Sequence, residues 1–313
     1  MMEKQKLWVV AGPTASGKTE LAVRLALRGN GEVISADSMQ VYREPRIGTA
    51  RPSEEELRGV PHHLLGCVPL SEPYSVVRYA AEAHDAIAAV AARGHQPILC
   101  GGTGLYIDAV IRNLTFWEED GADALRARLQ RELDAAGGEA MLERLRAVDP
   151  ETAARLHPND HGRILRALQV YETTGLSMSE QQRRSRQAPS PYETTYLRLD
   201  FRDRARLYGR IDRRVELMLR EGLAEEAREL LRRETAPTAL QAIGYKELKP
   251  YVDGLCSERE AAERLKQATR RYAKRQLSWF RRAENARTLY VDDYADAGAL
   301  AEAAWEAVSR EAD

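Results

Sequence analysis

Near its start the chain reads "VVAGPTASGKTELA": an apolar, β-rich run, a glycine-bounded loop, then a helix-like run. The loop is Gly12-Pro13-Thr14-Ala15-Ser16-Gly17-Lys18-Thr19, a complete G-x-x-x-x-G-K-[ST] pattern. Such a loop turns successive backbone N–H groups toward a string of phosphates and sets them at a helix N-terminus. Lys18 can reach a phosphate oxygen, and the Thr19 hydroxyl can ligate Mg²⁺. A chance glycine-rich turn needs no particular flanks, whereas this one has a strand before it and a helix after it.

The rest of the first third repeats that alternation. "LWVVAG" reads as a strand and "KTELAVRLALRG" as a helix closed by Gly29. "EVISAD" reads as a strand ending on Asp37, and "YSVVRYAAEAHDAIAAVAARG" as a helix. "QPILCGG" is a third strand and "GLYIDAVIRNL" a helix. Strands alternating with helices predict parallel pairing. The pattern changes after Leu114: from about 118 to 187 no convincing strand occurs. Short helices there are broken at Gly137-Gly138, Pro150 and Pro158, Asp160 stands at a helix entry, and "SMSEQQRRSRQAPSPYE" reads as a polar loop. "TTYLRLDF" returns as a strand, helices follow, and "TLYVDD" adds a last strand. The expected fold is α/β, a P-loop NTPase-like parallel sheet core with a helical insertion. Residues 1–117 form the first part of the core, 118–190 the insertion, and 191–313 the second part of the core.

The chain has 313 residues, 43% of them hydrophobic, enough for a sizeable core, and no run is long enough to span a membrane. The N-terminus lacks a signal-peptide pattern, so a soluble cytoplasmic protein is expected, and a monomer is the expected state. Cys67, Cys100 and Cys256 show no C-x-x-C and no zinc spacing, which predicts reduced thiols. The net charge of −1 hides an asymmetry, because residues 160–290 hold 28 Lys and Arg against 19 Asp and Glu. A basic half in a near-neutral chain suggests a polyanionic partner, although soluble Arg-rich helices would give the same count.

Beyond the loop, Asp37 is followed by Ser38, Met39 and Gln40, polar groups suited to reading a planar base. Asp37 could serve as a base, a helix cap or a second-shell ligand to Mg²⁺. Gly101, Gly102 and Gly104 flank Thr103 at a strand end that would face the same crevice as the P-loop. His62 and His63 read as part of a loop with no matching carboxylate or cysteine set, so a metal site there is not expected. The Tyr and Trp residues of the C-terminal helices, Tyr272 among them, read as core.

Taken in order, several stretches resemble the tRNA dimethylallyltransferase family in its bacterial form. They are "GPTASGKT" (12–19), "ISADSMQVYR" (34–43), "IGTARP" (47–52), "PHHLL" (61–65), "GGTGLY" (101–106), "HPNDHGRILRALQVYETTG" (157–175), "RIDRRVELMLREGL" (210–223), "QAIGYKEL" (241–248) and "RRYAKRQLSWFRR" (270–282). They run from end to end of the chain. The resemblance implies transfer of the dimethylallyl group of dimethylallyl diphosphate to N6 of the adenosine immediately 3′ of the tRNA anticodon, with release of diphosphate. It implies that Gly12 to Thr19 and Arg214 bind the diphosphate, with Mg²⁺ held by Thr19. Asp37 is then the general base beside Lys18 and Thr19, and Asp37, Ser38, Met39, Gln40, Thr103, Arg126, Gly162, Arg163, Ile164, Leu165 and Arg166 meet the tRNA. The insertion would clamp the anticodon stem-loop, and the target base would leave its stack to reach the site. Rival readings are a prenyltransferase acting on free adenine nucleotides, an ATP-binding P-loop nucleotide or metabolite kinase, and an RNA-binding regulator with a vestigial loop.

Overall fold

The structure, a computed structural model, describes residues 4–114, 122–185, 187–233 and 243–310. The chain divides into two compact units, one of Met1–Ile111 with Pro191–Asp313 and one of Arg112–Ser190. The insertion start expected at 118 and Gln241-Ala242 of the "QAIGYKEL" stretch lie outside the described residues.

The first unit opens with β1 (Gln5–Ala11), α1 (Lys18–Arg28), β2 (Gly31–Ser35), α2 (Glu54–Leu57), β3 (His62–His63), α3 (Val76–Ala92), β4 (Gln96–Gly101) and α4 (Gly104–Ile111). In the second unit lie α5 (Ala122–Val148), α6 (Pro150–Ala153), α7 (His161–Thr174) and α8 (Met178–Ser185). The first unit then resumes with β5 (Tyr192–Asp200), α9 (Arg204–Arg220), α10 (Leu223–Leu230), α11 (Tyr245–Val252), α12 (Glu258–Phe280), β6 (Arg287–Tyr290) and α13 (Ala297–Ser309).

The strands form one six-stranded sheet in the order β3-β2-β4-β1-β5-β6, and every pairing is parallel. Alternation along β1 sends Leu7, Val9 and Ala11 to one core layer and Trp8 and Val10 to the other. Both faces are covered, which is why β1 reads as continuously apolar rather than alternating.

Three local readings differ from expectation. β2 stops at Ser35, so Asp37 lies in the following loop rather than at the strand end. His62-His63 is a short strand, not a loop, and pairs with Val33 and Ile34. The segment read as a polar loop after Gly175 contains α8, which has no apolar stripe and is tied by polar contacts instead. The Asp149 carboxylate accepts the Ser179 N–H (3.0 Å), and Gln181 Nε2 donates to Thr174 Oγ1 (2.8 Å).

In the second unit α5 is interrupted at Gly137 (φ 81°), and its two halves pack with α7 around Leu129, Leu133, Leu145, Ile164 and Leu168. Asp160 stands at the N-cap of α7 without capping it; its carboxylate accepts the His157 N–H at 2.9 Å.

Candidate active site

Three neighbouring strands end together. Ala11 of β1 is in register with Gly101 of β4, and Ser35 of β2 with Cys100. The loops that leave these ends carry the glycine-rich loop, Asp37 and Thr103, so the crevice forms at the C-terminal edge of the sheet, where parallel α/β sheets bind ligands.

The glycine-rich loop turns tightly. Ala15 (φ 61°) and Gly17 (φ 88°) are both left-handed, and Gly17 is the N-cap of α1. Lys18 and Thr19 begin that helix, so the α1 N-terminus and its positive end face the loop. Lys18 Nζ lies 3.5 Å from the Pro13 carbonyl, and Arg210 Nε donates to the Ala15 carbonyl at 2.7 Å. Burial pushes the Lys18 ammonium down, and the Asp37 carboxylate opposes that shift. The two side chains line the same pocket.

The exits of β2 and β4 are stitched together. A Cβ on Gly101 would lie 2.0 Å from the Ala36 carbonyl oxygen, so only glycine permits this approach. Thr103 N–H donates to that same carbonyl at 3.0 Å. Thr103 Oγ1 accepts the Ser38 N–H (3.0 Å) and donates to Ser38 Oγ (3.3 Å). Asp37 Oδ1 accepts the N–H groups of Met39 (3.0 Å) and Gln40 (3.3 Å), which fixes the turn that presents the carboxylate. Gln40 Nε2 donates to the carbonyls of Thr49 and Ala50, each at 3.0 Å.

These groups surround a pocket of about 540 Å³. Its lining includes Thr14, Ala15, Lys18, Thr19 and Arg214, together with Asp37, Ser38, Met39 and Gln40. Ile211, Val215, Met218, Leu223, Ile243 and Leu265 supply an apolar part of its wall, and Lys246, Thr269 and Arg275 also line it. Arg214 is half-buried, its Nη2 lies 3.5 Å from the Ala50 carbonyl, and burial pushes its guanidinium down. Cation donors, an apolar wall and a carboxylate in one cavity suit an apolar molecule with an anionic head, brought against an acceptor that gives up a proton.

Gly12, Pro13, Ser16 and Gly17 complete the loop, and Thr103 stands behind Ser38. Arg126, Gly162, Arg163, Ile164, Leu165 and Arg166 belong to the other compact unit. There Arg126, Gly162, Arg163 and Arg166 are exposed, and a Cβ added at Gly162 would meet nothing. Ile164 and Leu165 are buried in that unit's core, so their side chains are committed to packing.

Two residues of α12 stand at the site although the sequence reading put that stripe in the core. Tyr272 lines the pocket and interacts with Thr103 and Gln276. Burial and the Asp37 charge both push its phenol up. Gln276, only 5% exposed, accepts the Thr14 N–H and donates to the Gly102 carbonyl, both at 2.9 Å, and so bridges the two glycine-rich loops. A glutamine midway between Tyr272 and Phe280 on an otherwise apolar stripe was the one available signal, because a buried amide needs partners.

Residues 40–283 match the family model described as IPP transferase; the glycine-rich loop and Asp37 precede the matched span. A tRNA dimethylallyltransferase of Geobacillus thermodenitrificans is 49% identical over 88% of this chain and 88% of its own. Another, of Geobacter sulfurreducens, is 48% identical over 89% and 90%. Among solved structures, the full-length tRNA isopentenylpyrophosphate transferase of Bacillus halodurans superposes with a TM-score of 0.72 at 39% identity, covering 99% of this chain and 98% of that one. A eukaryotic dimethylallyltransferase acting on tRNA gives a TM-score of 0.75 at 31% identity, over 92% of this chain and 74% of that one.

Proposed function

The chain belongs to the IPP transferase family, and we propose that it transfers the dimethylallyl group of dimethylallyl diphosphate to N6 of the adenosine immediately 3′ of the anticodon in tRNA. The observation that carries this reading is the shared pocket. A phosphate-type loop, apolar side chains and Asp37 line one cavity, which suits a donor with a diphosphate head and an apolar five-carbon chain.

In this reading the backbone N–H groups of Gly12 to Thr19, with Lys18 and Arg214, hold the diphosphate, and the apolar wall holds the five-carbon chain. The allylic C–O bond breaks and its electron pair leaves with the diphosphate, while a new bond forms from N6 to the allylic carbon. Asp37 takes the N6 proton. Fixed donors aimed at the departing diphosphate stabilise the charge that builds there. Ser38, Met39, Gln40 and Thr103 receive the flipped base, and Arg126, Gly162, Arg163 and Arg166 meet the tRNA. Ile164 and Leu165 contribute by packing α7, the helix that carries Arg163 and Arg166.

Mg²⁺ is part of the proposal. The Thr19 hydroxyl offers a hard oxygen donor in the pocket, while no group of His, Cys, Asp or Glu able to hold a metal unaided occurs among the described residues. That arrangement suits an ion that takes most of its ligands from substrate phosphates and water. When bound, it spreads the charge of the leaving diphosphate. A tRNA substrate supports reading the enzyme as cytoplasmic, and a donor pocket lined by residues of one chain supports reading it as a monomer.

The test is incubation with undermodified tRNA and labelled dimethylallyl diphosphate, followed by nucleoside mass analysis. The label should appear on one adenosine, with no ATP consumed. Stoichiometric, tRNA-dependent ADP release would sink the reading, and label on free AMP but not on tRNA would replace the acceptor.

A further inference from the structure

The loop 45–50 forms part of the pocket wall, yet what shapes it lies outside the pocket. Glu226, half-buried on α10, accepts three consecutive backbone N–H groups: Arg46 and Ile47 on Oε2, each at 2.9 Å, and Gly48 on Oε1 at 2.8 Å. Tyr245, 2% exposed at the start of α11, donates its hydroxyl to Oε1 at 2.9 Å. Burial and the adjoining carboxylate push that phenol up, which keeps it a donor. A Cβ at Gly48 would stand 2.7 Å from the Tyr245 hydroxyl, so the loop closes on the latch only because position 48 is glycine.

The same loop turns its carbonyls the other way. Ala50, held left-handed at φ 52°, offers its carbonyl to Gln40 Nε2 at 3.0 Å and to Arg214 Nη2 at 3.5 Å. Thr49 offers its carbonyl to Gln40 as well. One carboxylate therefore gathers the N–H side of the turn, and the carbonyl side orients the guanidinium and the amide that face the cavity.

We propose that Glu226, latched by Tyr245, is a positioning residue for the donor pocket: by fixing residues 46–50 it sets the orientation of Arg214 toward the diphosphate. No other kind of side chain would serve. Three converging N–H donors want an anionic acceptor, and bonds to a charged acceptor are about twice as strong as neutral ones. Glutamine at this position keeps the size but turns an NH₂ toward N–H groups, leaving at least one donor unpaired. The inference rests on the reading in which Arg214 binds the donor's diphosphate.

The test is a double-mutant cycle on the full chain with tRNA and dimethylallyl diphosphate. Glu226→Gln should raise the donor KM about tenfold, the scale of one lost charge-assisted hydrogen bond, and should speed amide exchange at residues 46–48. Arg214→Gln should raise the donor KM by at least as much. The double variant should be no worse than Arg214→Gln alone, because the latch acts through that guanidinium. Tyr245→Phe removes one of the four bonds, should show a smaller rise in donor KM, and serves if Glu226→Gln does not fold. A lower melting temperature with an unchanged donor KM would make Glu226 a structural support only and overturn the inference, as would effects that multiply in the double variant. If Arg214→Gln itself leaves the donor KM unchanged, the diphosphate role of Arg214 fails and this inference with it, while turnover of dimethylallyl diphosphate with tRNA still decides the proposed reaction.

Discussion

Asp37 carries two duties on one side chain. Its Oδ1 closes the turn onto the Met39 and Gln40 N–H groups, and the carboxylate shares its space with Lys18. Asparagine keeps an oxygen for the turn but cannot take a proton. Asp37→Asn should therefore bind tRNA and donor nearly normally while its single-turnover rate falls by roughly 10²–10⁴-fold, the usual scale of general-base catalysis. Measured across Mg²⁺ concentrations, a rate restored at high Mg²⁺ would move Asp37 from the proton to the metal. Lys18, Thr19 and Asp37 were legible in the sequence because each belongs to a contiguous run whose local geometry the chain itself dictates. Gln276 and Glu226 were not. Their partners lie 262 and 179 residues away, at Thr14 and Ile47, and no periodicity connects such positions. Tyr272 was misplaced for a related reason: a half-buried aromatic on an apolar stripe has the same spacing whether it faces a core or a cavity.

At the scale of elements, backbone approach ties the C-terminal edge of the sheet, and a buried charge cluster ties the other end. Gly101→Ala would drive a methyl group against the Ala36 carbonyl oxygen, a backbone atom that cannot swing aside. The variant should lose about 1–3 kcal/mol or more of stability, in the range of overpacking strain, read as a lower denaturant midpoint. At the start of β2, Glu32 is 3% exposed and takes Arg93 (2.7 Å), His63 (2.6 Å) and His95 (2.6 Å) on its two oxygens. Hydrogen bonding to Arg93 leads the causes that pull its carboxyl from about 4.5 down to about 2. A depressed carboxyl contributes stability that is present above the ordinary value and lost as pH falls through the folded one. Stability should thus decline between about pH 4.5 and pH 2. Glu32→Gln should flatten that part of the curve, measured by melting temperature against pH; an unchanged slope would remove Glu32 from the acid transition. The His62-His63 strand escaped the sequence reading because two residues show no period and their pairing partners Val33 and Ile34 are distant in sequence, and α8 escaped it because a helix held by polar ties shows no apolar period.

For the molecule as a whole, the alternating first third was readable because strands buried on both faces and helices amphipathic on one have distinct periods, and the insertion was readable as the place where strands stop. Charge is the other property visible at that scale. Residues 160–290 carry 28 Lys and Arg against 19 Asp and Glu, and the structure sorts them. On α12, Arg271, Lys274 and Arg275 are exposed while Leu265, Leu277 and Phe280 are buried. On α7, Arg163 and Arg166 are exposed while Ile164, Leu165 and Leu168 form the core. Basic residues on the solvent face of helices whose other face is committed to packing can meet a polyanion without disturbing the packed core. If they meet tRNA phosphates, binding releases counterions, and affinity should fall steeply and log-linearly with salt, with a slope near −0.7 to −0.9 per phosphate contact. Arg163→Glu together with Arg166→Glu should weaken tRNA binding at every salt concentration, make that slope shallower by about 1–2, and leave the donor KM unchanged. The two substitutions lie on an exposed face, so circular dichroism should report an intact fold. Salt-independent tRNA affinity in the wild type, or an unaltered slope in the double variant, would leave these arginines as ordinary helix surface and return the clamp to residues elsewhere in the chain.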